Sequence, residues 1–196
     1  MVGLLVAFEG LDQSGKETQA KRLGAYFERQ GRVVHLLSFP DYETPIGAEI
    51  GRALRGDHEY PSDVMQLLYI ANRYEYKVRI ERWLAAGHVV LCDRYVSSSV
   101  AYGETQGLDP RWVADVQRNL PQPSTTILLD IAPETAVARK AAGRDRFERD
   151  LALLTRVRES YRRQAAQPGW VRVDGERAKD DIAANIERIV RELLAR

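Results

Sequence analysis

Cysteine is nearly missing from this chain: Cys92 stands alone, so no intramolecular disulfide framework holds the fold. Histidine is scarce as well. His35, His58 and His88 show none of the spacings that bring several imidazoles onto one ion, and no histidine metal centre is expected. An excess of one charge is also lacking. The 29 Lys and Arg residues against 28 Asp and Glu leave +1 at pH 7, which supplies no overall field to draw the chain onto nucleic acid or an anionic membrane. No apolar stretch reaches the roughly 18 residues of a membrane span, and no basic leader with a cleavage site precedes the first apolar run. The expectation is a cytoplasmic protein with neither a nucleic-acid nor a membrane partner, in which any anion binding is local.

What is present is enough chain, 196 residues, for one well-buried domain spanning 1–196. Near its start an apolar run, Leu4 to Phe8, breaks into a loop and then into KETQAKRLGAYFERQG, whose Ala20, Leu23, Tyr26 and Phe27 recur at helical spacing. The loop places Gly10, Gly15 and Lys16 as G-x-x-x-x-G-K, a phosphate-loop pattern. Glycines let backbone N–H groups approach an anion, the following helix presents its free N–H groups, and the lysine reaches the β and γ phosphates of a nucleoside triphosphate. One position departs from the pattern. Where a Ser or Thr hydroxyl would meet magnesium the chain has Glu17, and Thr18 lies about 100° further round the helix. The magnesium is therefore expected to be held at least partly elsewhere.

Four further apolar runs follow, within Arg32 to Phe39, His88 to Asp93, Thr125 to Ile131 and Trp170 to Asp174. Five short runs rich in Val, Ile and Leu, separated by crossover-length segments, predict an α/β fold: a five-stranded parallel sheet flanked by helices. Ligands of such sheets bind at the carboxyl ends of strands, which puts Phe39, Asp93 and Asp174 on the rim that carries the glycine loop. Pro61 to Ala86 reads as a single helix with an apolar stripe of Val64, Leu67, Leu68, Ala71 and Val78. Tyr69 and Arg73 share a face turned away from much of it. Arg139 to Arg163 carries nine Lys or Arg against four Asp or Glu, and Asp180 to Leu194 reads as a packing helix.

A triphosphate-binding loop serves switches, motors and kinases. The D-x-x-G present lies inside the phosphate loop and N-K-x-D is missing, which argues against a GTPase. The length argues against a motor, and a small kinase is left. Asp93 at a strand end suits a magnesium-bound water, and Arg94 suits a fork to a phosphate. The charged run around Gly143 has the composition of a lid that delivers arginine to developing charge. Cys92, on a buried strand, is a core residue rather than a nucleophile.

The stretches FEGLDQSGKETQ, SFPDY, LLYIANRYE, CDRYVSSSVAY, NLPQPS and GRDRFERD, in this order and spacing, resemble the thymidylate kinase family over nearly the whole chain. That resemblance implies a phosphate-loop kinase fold with a short lid at about 141–150, a homodimer, and magnesium-assisted transfer of the γ-phosphoryl group of ATP to dTMP. Position by position, it implies that the backbone of Gly10, Leu11, Asp12, Gln13, Ser14, Gly15, Lys16, Glu17 and Thr18 cradles ATP phosphates, and that Arg139 stacks on adenine. It implies that Asp12 orients the acceptor end and helps with magnesium, Phe39 packs by sugar or base, Tyr69 stacks on thymine and Arg73 bonds its edge. Arg94 would bind the acceptor phosphate, Ser98 and Ser99 would sit near the base, and Tyr102 would lie where a 2′-hydroxyl would project.

Some members of the family carry an arginine where this chain has Gln13. The catalytic arginine is then expected from the lid, among Arg144, Arg146 and Arg149, and the magnesium ligands from Asp12, Asp93 and Glu148. The alternatives are a kinase of another pyrimidine nucleotide or nucleoside, and a nucleotide-binding regulator with little transfer activity.

Overall fold

The computed structural model describes residues 2–139 and 150–194. Its five strands, β1 (Leu4–Glu9), β2 (Val34–Ser38), β3 (Val89–Asp93), β4 (Thr125–Asp130) and β5 (Trp170–Asp174), form one parallel sheet in the order β2-β3-β1-β4-β5. The described helices are α1 (Lys16–Glu28), α2 (Pro45–Arg55), α3 (Ser62–Tyr74), α4 (Lys77–Ala85), α5 (Val96–Thr105), α6 (Pro110–Val116), α7 (Pro133–Arg139), α8 (Leu151–Gln164) and α9 (Lys179–Leu194). None is long and apolar enough to cross a membrane.

The period of two along a strand divides the core. Leu4, Val6 and Phe8 of β1 face Leu23 and Phe27 of α1 and Ile182, Ile186 and Val190 of α9. Leu5 and Ala7 face the other way, joining Val90, Cys92, Ile80 and Tyr95. On that second side Leu128 of β4 packs with Leu154, Val157 and Tyr161 of α8. Because both faces are covered, every residue of β1 is buried, which is why the strand reads as an unbroken apolar run. Each fully buried Leu or Phe contributes about 2 kcal/mol. β1 is the centre of the sheet, and the strand order runs outward from it in both directions, so its carboxyl end opens into the crevice where such sheets bind ligands.

The structure departs from the expected helix over 61–86. The chain breaks after Tyr74, and α3 and α4 are separate helices. Contacts with the segment before α2 account for the break: the Glu75 carboxylate accepts from Thr44 Oγ1 at 2.6 Å and Asn72 Nδ2 at 2.9 Å, and the Tyr76 hydroxyl donates to Asp41. The faces of α3 also differ from expectation. Gln66, Ile70, Asn72 and Arg73 are the buried ones, whereas Leu67 on the expected stripe is 39% exposed and Val78, now on α4, is 55% exposed.

At the opposite end of the sheet His35 stacks on Trp83, with ring centroids 3.8 Å apart, and its Nε2 lies 2.9 Å from His88 Nδ1. Burial and then the neighbouring His88 lower the pKa of His35. A histidine whose folded pKa is depressed contributes stability that is present above about pH 6.5, its unfolded value, and is lost as pH falls below it. His35→Phe keeps an aromatic stack without the proton. Thermal scans between pH 7.5 and 5.5 are expected to show the Tm of the wild type falling more than that of the variant, and parallel curves would refute the role of His35.

Candidate active site

Between β1 and α1 the backbone takes the conformation that the glycines permit. Gly10 has φ 138°, and a Cβ there would stand 2.5 Å from the Leu129 carbonyl oxygen. Gly15, at φ 94°, caps α1, and Gln13 at φ 62° is itself left-handed. The loop thus presents the unpaired N–H groups and positive dipole end of a 13-residue helix. Lys16 begins that helix, is 5% exposed, and its Nζ donates to the Leu11 carbonyl at 2.8 Å. Burial, and secondarily Arg94, lower its pKa to about 8 against the opposing pull of Asp12, Asp93 and Glu9. An anion in the loop would restore the charge. The Ser14 hydroxyl is buried with no hydrogen-bond partner among the described residues.

Glu17 is exposed and pairs with Lys21 one turn along α1, and Thr18 is exposed too. Arg139, at the end of α7, bridges the loop to the end of β5, donating to the carbonyls of Gln13 at 3.2 Å and Gly175 at 3.0 Å.

Beside the loop lies a cavity of about 750 Å³. It brings together Asp12, Phe39, Tyr69, Arg73, Arg94, Ser98, Ser99 and Tyr102, the residues expected around an acceptor nucleotide. Arg94, just past β3, is held at φ 64° with its N–H on the Phe8 carbonyl at 2.9 Å. Its Nη2 pairs with the Asp12 carboxylate at 2.6 Å and donates to the Tyr102 hydroxyl at 3.3 Å, while the guanidinium carbon lies 5.3 Å from the Tyr102 ring centre. Burial alone would lower its pKa, but Asp12, Tyr102 and Tyr161 carry it well above the usual arginine value.

Arg73 is 3% exposed. Its Nη1 donates to Ser99 Oγ at 2.8 Å and Gln117 Oε1 at 3.2 Å, while its Nε is buried without a partner among the described residues. Burial lowers its pKa to about 10. Phe39 packs edge-on to Tyr76, centroids 5.6 Å apart, as a wall of the cavity.

Asp93 ends β3 with one buried carboxylate oxygen lacking any partner among the described residues. Burial raises its pKa, with Lys16 and Arg94 opposing. No cluster of three or more His, Cys, Asp or Glu arranged for a metal occurs among the described residues. The lid expected at about 141–150, with Arg144, Arg146, Glu148 and Arg149, lies outside the described residues except for Asp150, whose carboxylate caps α8 through Leu153 N at 3.0 Å.

Several polar residues of the site escape a reading by motif and period: Glu9, Gln66, Gln106, Gln117 and Tyr161. Glu9 carried one local signal, an acid at the end of an otherwise apolar central strand. Gln117, just past α6, orients Arg73, anchored by its own amide on the carbonyls of Val96 and Val113 at 3.1 Å each.

Known proteins converge on the same reading. Residues 8–186 match the family model described as thymidylate kinase. Thymidylate kinase of Arabidopsis thaliana is 32% identical over 188 residues, covering 96% of this chain and 71% of the relative. A probable thymidylate kinase of Pyrobaculum aerophilum is 34% identical over 193 residues, covering 96% and 97%. The solved structure of thymidylate kinase from Candida albicans superposes with a TM-score of 0.83 at 27% identity, covering 97% of this chain and 92% of that one. With a phosphate loop, an adjoining cavity and this match over nearly its whole length, the chain belongs to the thymidylate kinase family.

Proposed function

We propose that the protein is a dTMP kinase that moves the γ-phosphoryl group of ATP directly onto the 5′-phosphate of dTMP, giving dTDP and ADP. The observation that carries this reading is the 2.6 Å contact between Asp12, in the phosphate loop, and Arg94, in the cavity: the two halves of a two-nucleotide site meet there. The loop N–H groups and Lys16 hold the donor phosphates, and Arg139 at the loop's edge flanks the adenine. Arg94 takes the acceptor phosphate, and in-line alignment of the two lowers the barrier by positioning and charge stabilisation. Tyr69 stacks on thymine. The unpartnered Nε beside the anchored Nη1 of Arg73 supplies a donor for its carbonyl edge, and Ser98 and Ser99 line this end of the cavity. Tyr102 fills the space a 2′-hydroxyl would need.

The orphaned oxygen of Asp93 fits a hydrated divalent ion, which keeps several of its waters, so Asp93, with Asp12 and Glu148, would hold magnesium. Magnesium there would neutralise phosphate charge. Cys92 is fully buried and no covalent intermediate is required. Because Gln13 is neutral, a lid over about 141–150 supplies the remaining cation from Arg144, Arg146 or Arg149. The enzyme works as a cytoplasmic homodimer whose second copy covers Leu67, the large apolar side chain that α3 leaves exposed.

An ADP-release assay with magnesium ATP and dTMP, dUMP, UMP, CMP, AMP or GMP tests the assignment; dTMP is expected to give the fastest turnover, and stimulation by none of them defeats it. Lys16→Met is expected to lower kcat by about 10²-fold or more while Tm stays within a few degrees. Replacing the three lid arginines with Ala is expected to cost about 10³-fold in kcat, and unchanged turnover would remove the catalytic role from the lid. The lowered pKa of Lys16 adds a pH signature. In the free enzyme the ammonium is lost as pH rises through about 8, whereas bound phosphates hold its proton. The ratio kcat/KM for ATP should therefore decline above that pH while kcat stays level.

A further inference from the structure

Glu9, the last residue of β1, is fully buried one position before the phosphate loop. A carboxylate in such a place is costly unless its acceptor sites are filled. They are filled from two directions. Oε1 accepts the backbone N–H groups of Tyr95 at 2.9 Å and Ser98 at 3.3 Å. Both N–H groups belong to the start of α5, which has no side-chain cap of its own, and the Ser98 N–H is shared with the Tyr95 carbonyl at 3.2 Å. Oε2 accepts the hydroxyls of Ser98 at 2.6 Å and, from α8, Tyr161 at 3.0 Å.

Each hydroxyl has a single proton. With both protons on Glu9, both oxygens are left with lone pairs only, and both are met by Arg94 Nη1, at 3.1 Å from Ser98 and 3.3 Å from Tyr161. The other end of the guanidinium, Nη2, is the one that reaches Asp12 and Tyr102. Glu9 therefore dictates which way two hydroxyls point, and those hydroxyls fix the rotation of an arginine whose own backbone sits in the left-handed region. The Ser98 and Tyr161 oxygens lie 2.9 Å apart, so without the carboxylate they can bond each other and turn a proton toward Arg94. The negative charge of Glu9 also opposes the loss of charge at Lys16 and Arg73.

We infer that Glu9, acting through the Ser98 and Tyr161 hydroxyls, is the positioning residue that aims the Arg94 guanidinium at the acceptor phosphate. This rests on the assignment of that phosphate to Arg94. Neither Glu9 nor Tyr161 need touch a substrate. The predicted signature is one-sided: dTMP binding suffers, ATP binding does not, and the loss runs through Arg94.

Tyr161→Phe removes one hydroxyl and leaves the ring in its packing. It is expected to raise KM and the calorimetric Kd for dTMP about tenfold, the scale of one charge-assisted hydrogen bond. KM for ATP should stay within about twofold and Tm within a few degrees, by the same reasoning. Glu9→Gln is expected to move dTMP binding further in the same direction, with Glu9→Asp intermediate. In an Arg94→Lys background the Tyr161→Phe increment should vanish, because the coupled partner is gone. Unchanged dTMP affinity in Tyr161→Phe, an equal loss for ATP, or increments that multiply in the Arg94→Lys background would each overturn the inference, the last by marking a merely structural role. Arg94→Lys alone leaving dTMP binding intact would instead overturn the assignment of Arg94, and the inference with it. Should Glu9→Gln fail to fold, Tyr161→Phe carries the same test.

Discussion

Two cations are buried and a third is largely enclosed at one end of a parallel sheet, and much of the structure around them answers to that constraint. Lys16, Arg73 and Arg94 converge on the loop and the cavity beside it. Burial works against the charge of each and wins partly at Lys16 and Arg73, whose pKa values fall to about 8 and about 10. At Arg94 it loses, because Asp12 stands in direct contact. The site before ligand binding sets these cations against the carboxylates of Glu9, Asp12 and Asp93, and the cost left over shows in the lowered pKa values of Lys16 and Arg73. Filling it with anions relieves an electrostatic cost that folding has already met.

The fold meets that cost through its topology. A parallel strand ending in the core leaves its last side chains facing the crevice at the sheet's carboxyl edge, and three such ends supply the site. β1 contributes Glu9 and the loop, β3 contributes Asp93 and Arg94, and the chain leaving β2 contributes Phe39. Asp130 at the end of β4 is used differently. Arg158 at 2.7 Å and Arg162 at 2.8 Å hold it, tying α8 to the sheet and so setting the place from which Tyr161 reaches Glu9. The anchoring of Arg94 near one strand end and helix docking at another are parts of one electrostatic arrangement.

How much of this a sequence discloses depends on the range of the forces involved. The five strands were legible because strands covered on both faces appear as continuous apolar runs, and the loop because its glycine spacing is a backbone requirement written locally. The family pattern brought eight cavity residues into view, and they do line one cavity. The break at Glu75 and Tyr76 was not legible, since it arises from bonds to Asp41 and Thr44 some thirty residues away. Nor was the inward face of α3: periodicity assigns apolar side chains to the core, whereas here Arg73 and Asn72 are buried, with Ser99 and Gln117 holding Arg73 Nη1 and Asp41 and Thr44 holding the Asn72 amide. Glu9 and Tyr161, 152 residues apart, meet only in three dimensions.

The acid at position 17 can be placed on the same grounds. Its carboxylate is about two-thirds exposed and turned to Lys21, so it neither enters the loop nor competes with phosphate there. At the first turn of α1 it sits favourably in the dipole of that helix. What the loop lacks is a hydroxyl at this position; buried oxygens without a partner among the described residues remain at Ser14, within the loop, and at Asp93, at the end of the neighbouring strand. Burial raises that group's pKa while Lys16 and Arg94 oppose the shift. Glu17 therefore adds no uncompensated charge to the phosphate cradle, because its carboxylate is exposed and paired with Lys21.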